Sequence, residues 1–364
     1  MVISSQMLKQ LPKVDLHRHL EGTIRLSTAR EIARDFKLDL PYQDEEAFRR
    51  CLQYVPGQNT FFSCFHRELW VTQEVIRRVA TEAIEDALAD GLVYLELRFS
   101  TDHYRVIHGH PPHRVVETLS DVVSRAPLKT NLIMALSGGH GQTYEYVKPN
   151  LDVLRECLAA PATPIVGVDI SPAQNWFNDR ALFRQVLGEL RAMDRFPITV
   201  HAGEGTRAEE VRTAVEEYGA SRIGHGVGAY YDTDVLDLVV AERVPLEVCL
   251  TSNRDTGAIP DLRENPAYKL FGAGARVTLN TDDPSISGDL TMTDEYRNAL
   301  EVLGFSLSDL KAVLRNSIEA AFVSADDREV LWSKASSRWD QVLKAHQVDV
   351  EAARPKDVRG SRTS

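Results

Sequence analysis

At four places in the chain a histidine or a carboxylate stands at the end of a short apolar run. His201-Ala202-Gly203-Glu204 follows Phe196-Pro197-Ile198-Thr199-Val200; His17-Arg18-His19 closes Val14-Asp15-Leu16; His225 lies in Ile223-Gly224-His225-Gly226; Asp282-Asp283 follow Leu279-Asn280-Thr281 and precede Pro284. A β-branched run ending in His, a small residue, Gly and Glu reads as a strand that turns sharply and delivers an imidazole and a carboxylate to one rim. A single strand-end histidine is usually structural, so the weight lies in all four sets occurring together. Three imidazoles and one carboxylate suit zinc or a similar borderline divalent ion and leave a position for water. Water held there loses a proton near neutral pH and becomes a nucleophile. His225, a fourth imidazole not needed as a ligand, could orient the attacking oxygen, and Glu204 could give a proton to the electrophile. This is hydrolysis without a covalent intermediate. Asp169, rather than a lysine able to carry a bridging carbamate, ends the fourth strand-like run, so one metal is expected.

The elements that must position these groups alternate. Strand-like runs occur at 14–19, 92–99, 131–136, 165–170, 196–200, 222–225, 245–250 and 276–280, and amphipathic helical stretches such as 181–193 and 208–218 lie between them. Within 14–19, alternate residues share a face, so His17 and His19 point the same way. Eight mostly apolar strands alternating with helices predict a closed parallel (β/α)8 TIM barrel, in which chemistry collects at the carboxyl ends of the strands. Residues 27 to about 88 read as a helical insertion after strand 1, with Ser27 as an N-cap. Phe61, Phe62 and Phe65 put an aromatic stripe on one helix there, facing either the core or a flat ring as an apolar lid. The stretch holding His103, His108, His110 and His113 reads as a loop whose histidines are structural, since Gly109, Pro111 and Pro112 make it irregular and no carboxylate or Cys stands among them from 108 onward. Beyond about residue 289 the pattern is helical and caps the barrel. One domain over 1–350 is expected, with a polar, disordered tail at 351–364.

The 364 residues are 43% hydrophobic and 26% charged, which is ordinary globular composition within the length a single α/β barrel reaches. A net charge of -11 and the lack of a Lys/Arg-rich run exclude broad phosphate-backbone binding, so no nucleic-acid partner is expected. The four cysteines, Cys51, Cys64, Cys157 and Cys249, have no C-x-x-C spacing and read as buried thiols in a reducing compartment. Neither a signal-peptide pattern nor a membrane-length apolar run is found, so no membrane partner and a cytoplasmic location are expected.

Val14 to Thr23, Thr199-Val200-His201-Ala202-Gly203-Glu204, Arg222-Ile223-Gly224-His225-Gly226-Val227, Cys249-Leu250-Thr251-Ser252-Asn253 and Asn280-Thr281-Asp282-Asp283-Pro284 together resemble the adenosine/adenine/AMP deaminase family of metal-dependent hydrolases, in the same order from about residue 12 to 300. The resemblance implies that His17, His19, His201 and Asp282 bind one zinc ion per chain. It implies that Glu204 protonates purine N1, that His225 positions the attacking hydroxide, and that Asp283 orients it and contacts the ring near N7. Glu21, Pro172, Gly203, Asp283, Phe61 and Phe65 are the implied substrate contacts, the substrate being a small aminopurine. Glu204 followed by Gly205 is closer to adenosine deaminases than to adenine deaminases, which tend to carry Glu-Glu there. Two positions depart from the adenosine-deaminase pattern. Asp169-Ile170-Ser171-Pro172 replaces Asp-Leu-Ala-Gly, and a proline has no N–H to give to purine N3; Glu21 stands where Asp is common, near the sugar 5'-hydroxyl. The implied activity is deamination of adenosine or a related 6-aminopurine nucleoside. A relative rate favouring adenine would point instead to a free base or another aminated heterocycle, and failure to retain metal to a noncatalytic barrel, the remote alternative in which the histidines are structural or bind metal without turnover.

Overall fold

The computed structural model describes residues 3–38, 44, 46–47, 67–137, 143–159, 163–171, 180–194 and 196–348. Eight strands form one sheet in chain order: β1 Lys13–His19, β2 Leu92–Phe99, β3 Thr130–Ser137, β4 Ile165–Ser171, β5 Ile198–Ala202, β6 Arg222–His225, β7 Leu246–Val248 and β8 Val277–Leu279. Neighbours pair in parallel throughout. The ends meet where Arg18 bridges Asp282: the His19 N–H donates to the Asp282 carbonyl and the Asp282 N–H to the His17 carbonyl, each at 2.8 Å. This is the (β/α)8 barrel that the alternating pattern predicts. Helices such as Gln73–Ala89, Pro112–Arg125 and Arg180–Met193 cover the outside. With helices on one side and the barrel interior on the other, a strand is buried on both faces, which is why Leu132 to Leu136 is uniformly apolar.

The interior at mid-height is ionic. Glu96 and Arg98 of β2, Asp169 of β4, Arg222 of β6 and Glu247 of β7 are all buried. Arg98 pairs with Glu247 through a short contact and with Asp169 at 3.3 Å; Arg222 lies 2.6 Å from both Glu96 and Glu247. Charges taken this far from water persist only when each has partners.

At the amino-terminal end of the strands, the helices Ser5–Gln10, Leu307–Ala320 and Ala325–Ala345 close the barrel, with Trp339 buried beneath them. Lys13 is fully buried there and donates from Nζ to the carbonyls of Lys9, Leu11 and Asp90 at 3.2, 2.8 and 2.7 Å.

Three local expectations need correction. The helix after β1 spans Leu26–Phe36 with Arg25, not Ser27, at the cap position; Arg25 reaches Asp86 at 2.7 Å and Thr28 Oγ1 donates to Glu82 Oε2 at 2.6 Å, so contacts with Gln73–Ala89 set its start. The histidine-rich stretch is not a loop: Thr101–His108 is helical, Gly109 at φ +68° ends it, and the next helix opens at Pro112. Its His110 is structural, bonded to the Trp70 carbonyl at 2.8 Å. Third, β5 runs to Ala202 and includes His201. Cys157 and Cys249 are buried. Among the described residues no helix is long and apolar enough to cross a membrane. Phe61, Phe65, Pro172 and the tail from 351 lie outside the described residues.

Candidate active site

The groups singled out by type and spacing meet at the carboxyl ends of β1, β5, β6 and β8. Pleating puts His17 and His19 on one face of β1. His225 at φ +62° and Asp282 at φ +63° both adopt the left-handed conformation, which costs a non-glycine residue about 1–3 kcal/mol. At Asp282 the two backbone bonds to β1 hold that conformation and seat its carboxylate between the rings of His17 and His19. Gly224 leaves the space the His17 ring needs, since a Cβ there would lie 2.9 Å from His17 Cε1.

Ligand atoms of His17, His19, His201 and Asp282 all lie within 4.8 Å of one another. Asp282 Oδ1 is 3.3 Å from Nε2 of His17 and of His19, and the Nε2 atoms of His19 and His201 are 3.3 Å apart. The side chains beneath them hold the rings. Glu247 Oε2 accepts from His17 Nδ1 and Asp169 Oδ1 from His201 Nδ1, each at 2.9 Å, while Ser252 Oγ donates to Asp282 Oδ2 at 2.7 Å. His17 Nε2 is buried without a hydrogen-bond partner. An unpartnered imidazole nitrogen facing a carboxylate and two further imidazoles is a donor set able to hold a divalent cation.

Against the cost of burial and the charge of Arg98, Asp282 and Glu247 hold the His17 pKa above the usual histidine value. Burial pushes His19 down to about 3 and His225 well below its ordinary value. Burial would raise Asp282, yet His17 and the neighbouring imidazoles hold it well below the carboxylate range.

Glu204 follows β5 on a turn made by Gly203 at φ +60°. Its carboxyl accepts from Thr256 Oγ1 at 2.9 Å, and burial, then the charge of Asp282, push it up to about 7. The Gly203 N–H donates to Glu210 Oε2 at 3.1 Å and its carbonyl accepts from Gly228 at 2.8 Å, so both backbone groups are engaged within the protein. Asp283 Oδ1 is buried without a partner, and burial with the charges of Asp282, Glu21 and Glu204 raises its pKa well above the carboxylate range. Glu21, in the single turn Glu21–Thr23 after β1, accepts from the Ser100 N–H at 2.8 Å and is pushed by burial up to about 7.

A family model described as adenosine deaminase matches residues 12–337. An adenosine deaminase from Shewanella loihica is 34% identical over 333 residues, 89% of this chain and 98% of that relative. The chain belongs to the adenosine deaminase family. It is therefore a hydrolytic deaminase. Among solved structures it is similar to an adenine deaminase from Arthrobacter aurescens, with a TM-score of 0.80 and 25% identity over 91% of this chain and 99% of that one. The fold also matches an amidohydrolase from Burkholderia ambifaria solved with bound Zn, at a TM-score of 0.82 and 23% identity over 96% and 97% of the two chains.

Reading the sequence alone gave no role to Glu247, Arg98, Ser252, Asn253, Thr256 or Gly22, and noted Asp169 only as the absence of a lysine. A signal was present for the first two: a charged residue in the middle of an otherwise apolar strand has to find a buried partner.

Proposed function

We propose that this adenosine deaminase family member uses one zinc ion per chain to convert the 6-amino group of adenosine, or a related 6-aminopurine nucleoside, to the 6-oxo form, releasing ammonia in the cytoplasm. In this reading residues 1–350 form one barrel domain. The supporting observation is the gathering of His17, His19, His201 and Asp282 within 4.8 Å, beside a half-buried Glu204 whose carboxyl is pushed up to about 7. Those four side chains would hold the ion, which when bound supplies a Lewis acid that lowers the pKa of a water molecule.

Glu204, protonated near neutral pH, gives its proton to purine N1 and draws electron density from C6. The water oxygen then bonds to C6 and the C6–N6 bond breaks with its electrons leaving on nitrogen; one water proton completes the ammonia and the other returns to Glu204. His225 holds the attacking oxygen; Asp283 orients it and contacts the ring near N7. Glu21, Pro172, Gly203, Phe61 and Phe65 complete the set of substrate contacts. The net charge of -11 disfavours nucleic acid as a substrate.

A second reading, deamination of a free base, is favoured by the likeness to an adenine deaminase and by Pro172. The test is to incubate metal-replete protein with adenosine, 5'-modified and base-modified nucleosides, and adenine, following ammonia release and the ultraviolet shift. The expected result is faster turnover of a nucleoside than of adenine. Faster turnover of adenine would transfer the assignment to the base, and no ammonia from any member would refute both.

A further inference from the structure

Four imidazoles surround Asp282, and the partner at each ring's Nδ1 decides what its Nε2 can do. Nδ1 of His17 and of His201 each face a carboxylate oxygen at 2.9 Å. A carboxylate accepts, so these rings carry a proton on Nδ1 and can turn an Nε2 lone pair toward a cation. His225 is arranged the other way: its Nδ1 lies 3.2 Å from Asn253 Nδ2, and its Nε2 is 3.8 Å from Asp282 Oδ2.

Which end of the Asn253 amide faces His225 is set by two backbone groups whose polarity cannot be reversed. The Ala267 N–H donates to Asn265 Oδ1 at 3.1 Å. That turns Asn265 Nδ2 toward Asn253, where it donates to Oδ1 at 3.4 Å. Asn253 Nδ2 is then directed at the Glu204 carbonyl, 3.4 Å away, and at His225 Nδ1. Turning Asn253 over would set oxygen against the Glu204 carbonyl and N–H against the Asn265 amide. Asn253, Asn265 and His225 are 0%, 4% and 2% exposed, so little water is available to relieve such contacts. An amide donor at Nδ1 needs a lone pair there, which leaves the proton of the neutral ring on Nε2.

We propose that Asn253 is a positioning residue that fixes His225 in the Nε2–H form, so that this imidazole meets the reacting oxygen as a hydrogen-bond donor and is kept out of the metal's ligand set. The inference rests on the metal-dependent deaminase reading above and deepens it. It also resolves an ambiguity of the site: ligand atoms of His225, Cys249 and Asp282 lie within 4.8 Å of one another as well. A ring protonated at Nε2 has no lone pair to offer there, which leaves a cation to His17, His19, His201 and Asp282.

The tautomer can be read directly. The full chain is labelled with 15N-histidine, and long-range 1H–15N spectra are recorded metal-free and zinc-loaded, with the His225 pair assigned by its disappearance in His225→Gln. The expected spectrum shows Nδ1 in the unprotonated range and Nε2 in the protonated range; the reverse overturns the proposal, whatever the variants do. Asn253→Asp keeps the size and the acceptor for Asn265 but replaces the donor with an acceptor. It is expected to move the proton to Nδ1 and lower kcat by at least ~100-fold, with KM within about threefold and metal uptake still at one equivalent. An unchanged tautomer, or a kcat within about threefold of wild type after the swap, would overturn it. Absence of deamination by the wild-type protein refutes the activity reading instead and leaves the tautomer signal standing.

Discussion

Replacing Asp169 by Asn tests whether the carboxylates beneath the histidines tune the metal site or merely fill the barrel. Asp169 is fully buried; Oδ1 accepts from His201 Nδ1 at 2.9 Å and lies 3.3 Å from an Arg98 nitrogen, while Oδ2 has no hydrogen-bond partner. Burial alone would raise its pKa, yet His201 and Arg98 hold it well below the carboxylate range, so it is an anion throughout the working range. Asparagine keeps the shape and the acceptor toward His201 and removes only the charge. Arg98 retains its contact with Glu247, and two guanidiniums, Arg98 and Arg222, then face two carboxylates, Glu96 and Glu247, so no buried cation is stranded. A charge-assisted hydrogen bond worth about 1.5–3 kcal/mol is weakened while the burial cost of one carboxylate is relieved, so the fold should lose about 1 kcal/mol. The effect should appear in metal binding instead. Losing the carboxylate that makes His201 more basic should weaken the metal about 10–100-fold, or about 1.4–2.7 kcal/mol. Competition against a chelator of known affinity measures the metal affinity and thermal melting the stability. An affinity within about twofold of wild type, or a protein that no longer folds, would refute the reasoning.

Glu204→Gln should reduce kcat by about 10²–10⁴-fold while metal content and melting temperature stay at wild-type values, and near-normal turnover would remove Glu204 as the proton donor. Because burial and Asp282 raise Glu204 to about 7, its acid form persists up to that pH; kcat/KM should then fall about tenfold per unit above it, and a rate that stays flat or rises through pH 9 would count against the assignment. Gly22→Ala would put a Cβ 1.9 Å from Asp283 Oδ1. Asp283 must shift, lowering kcat by about 100-fold at unchanged metal content, and unaltered kcat would mean that the position of Asp283 does not matter. Lys13→Met leaves three carbonyls at the far end of the barrel without their buried donor. It should cost about 3 kcal/mol or more in denaturant unfolding and leave kcat unchanged; wild-type stability would show that the network is dispensable.

The fold was legible because burial on both faces makes most of the barrel strands largely apolar; β2 over Leu92–Phe99 and β6 over Arg222–His225, each with charged residues of its own, match the expected runs residue for residue. Boundaries were harder. At β5 the run 196–200 starts too early because Pro197 has no N–H for a ladder; its carbonyl instead accepts from Val168, and regular pairing begins at Ile198. Ser27 has the chemistry of a cap, but the helix start follows Arg25 and Thr28, whose partners, Asp86 and Glu82, lie more than fifty residues away. The four donors His17, His19, His201 and Asp282 were legible since each ends a strand, and the barrel brings all strand ends to one rim.

What lies beneath the rim could not be read locally, and the reason bears on how the site is held. Arg98 meets Glu247 at a separation of 149 residues and Arg222 meets Glu96 at 126, so each pairing exists only once the barrel closes. An unclosed barrel would separate Arg98 from Glu247 and Arg222 from Glu96, leaving buried charges short of partners, a larger penalty than a mispacked aliphatic layer imposes. Closure is thereby tied to the site: Glu247 serves both arginines and His17, and Asp169 serves both Arg98 and His201. The charges that make closure all-or-none are those that set the imidazole rings, so removing Glu247, unlike Asp169, should weaken fold and metal site together. Glu247→Leu should therefore lower the melting temperature and the metal affinity at once, and losing only one of the two would show that closure and site are separable.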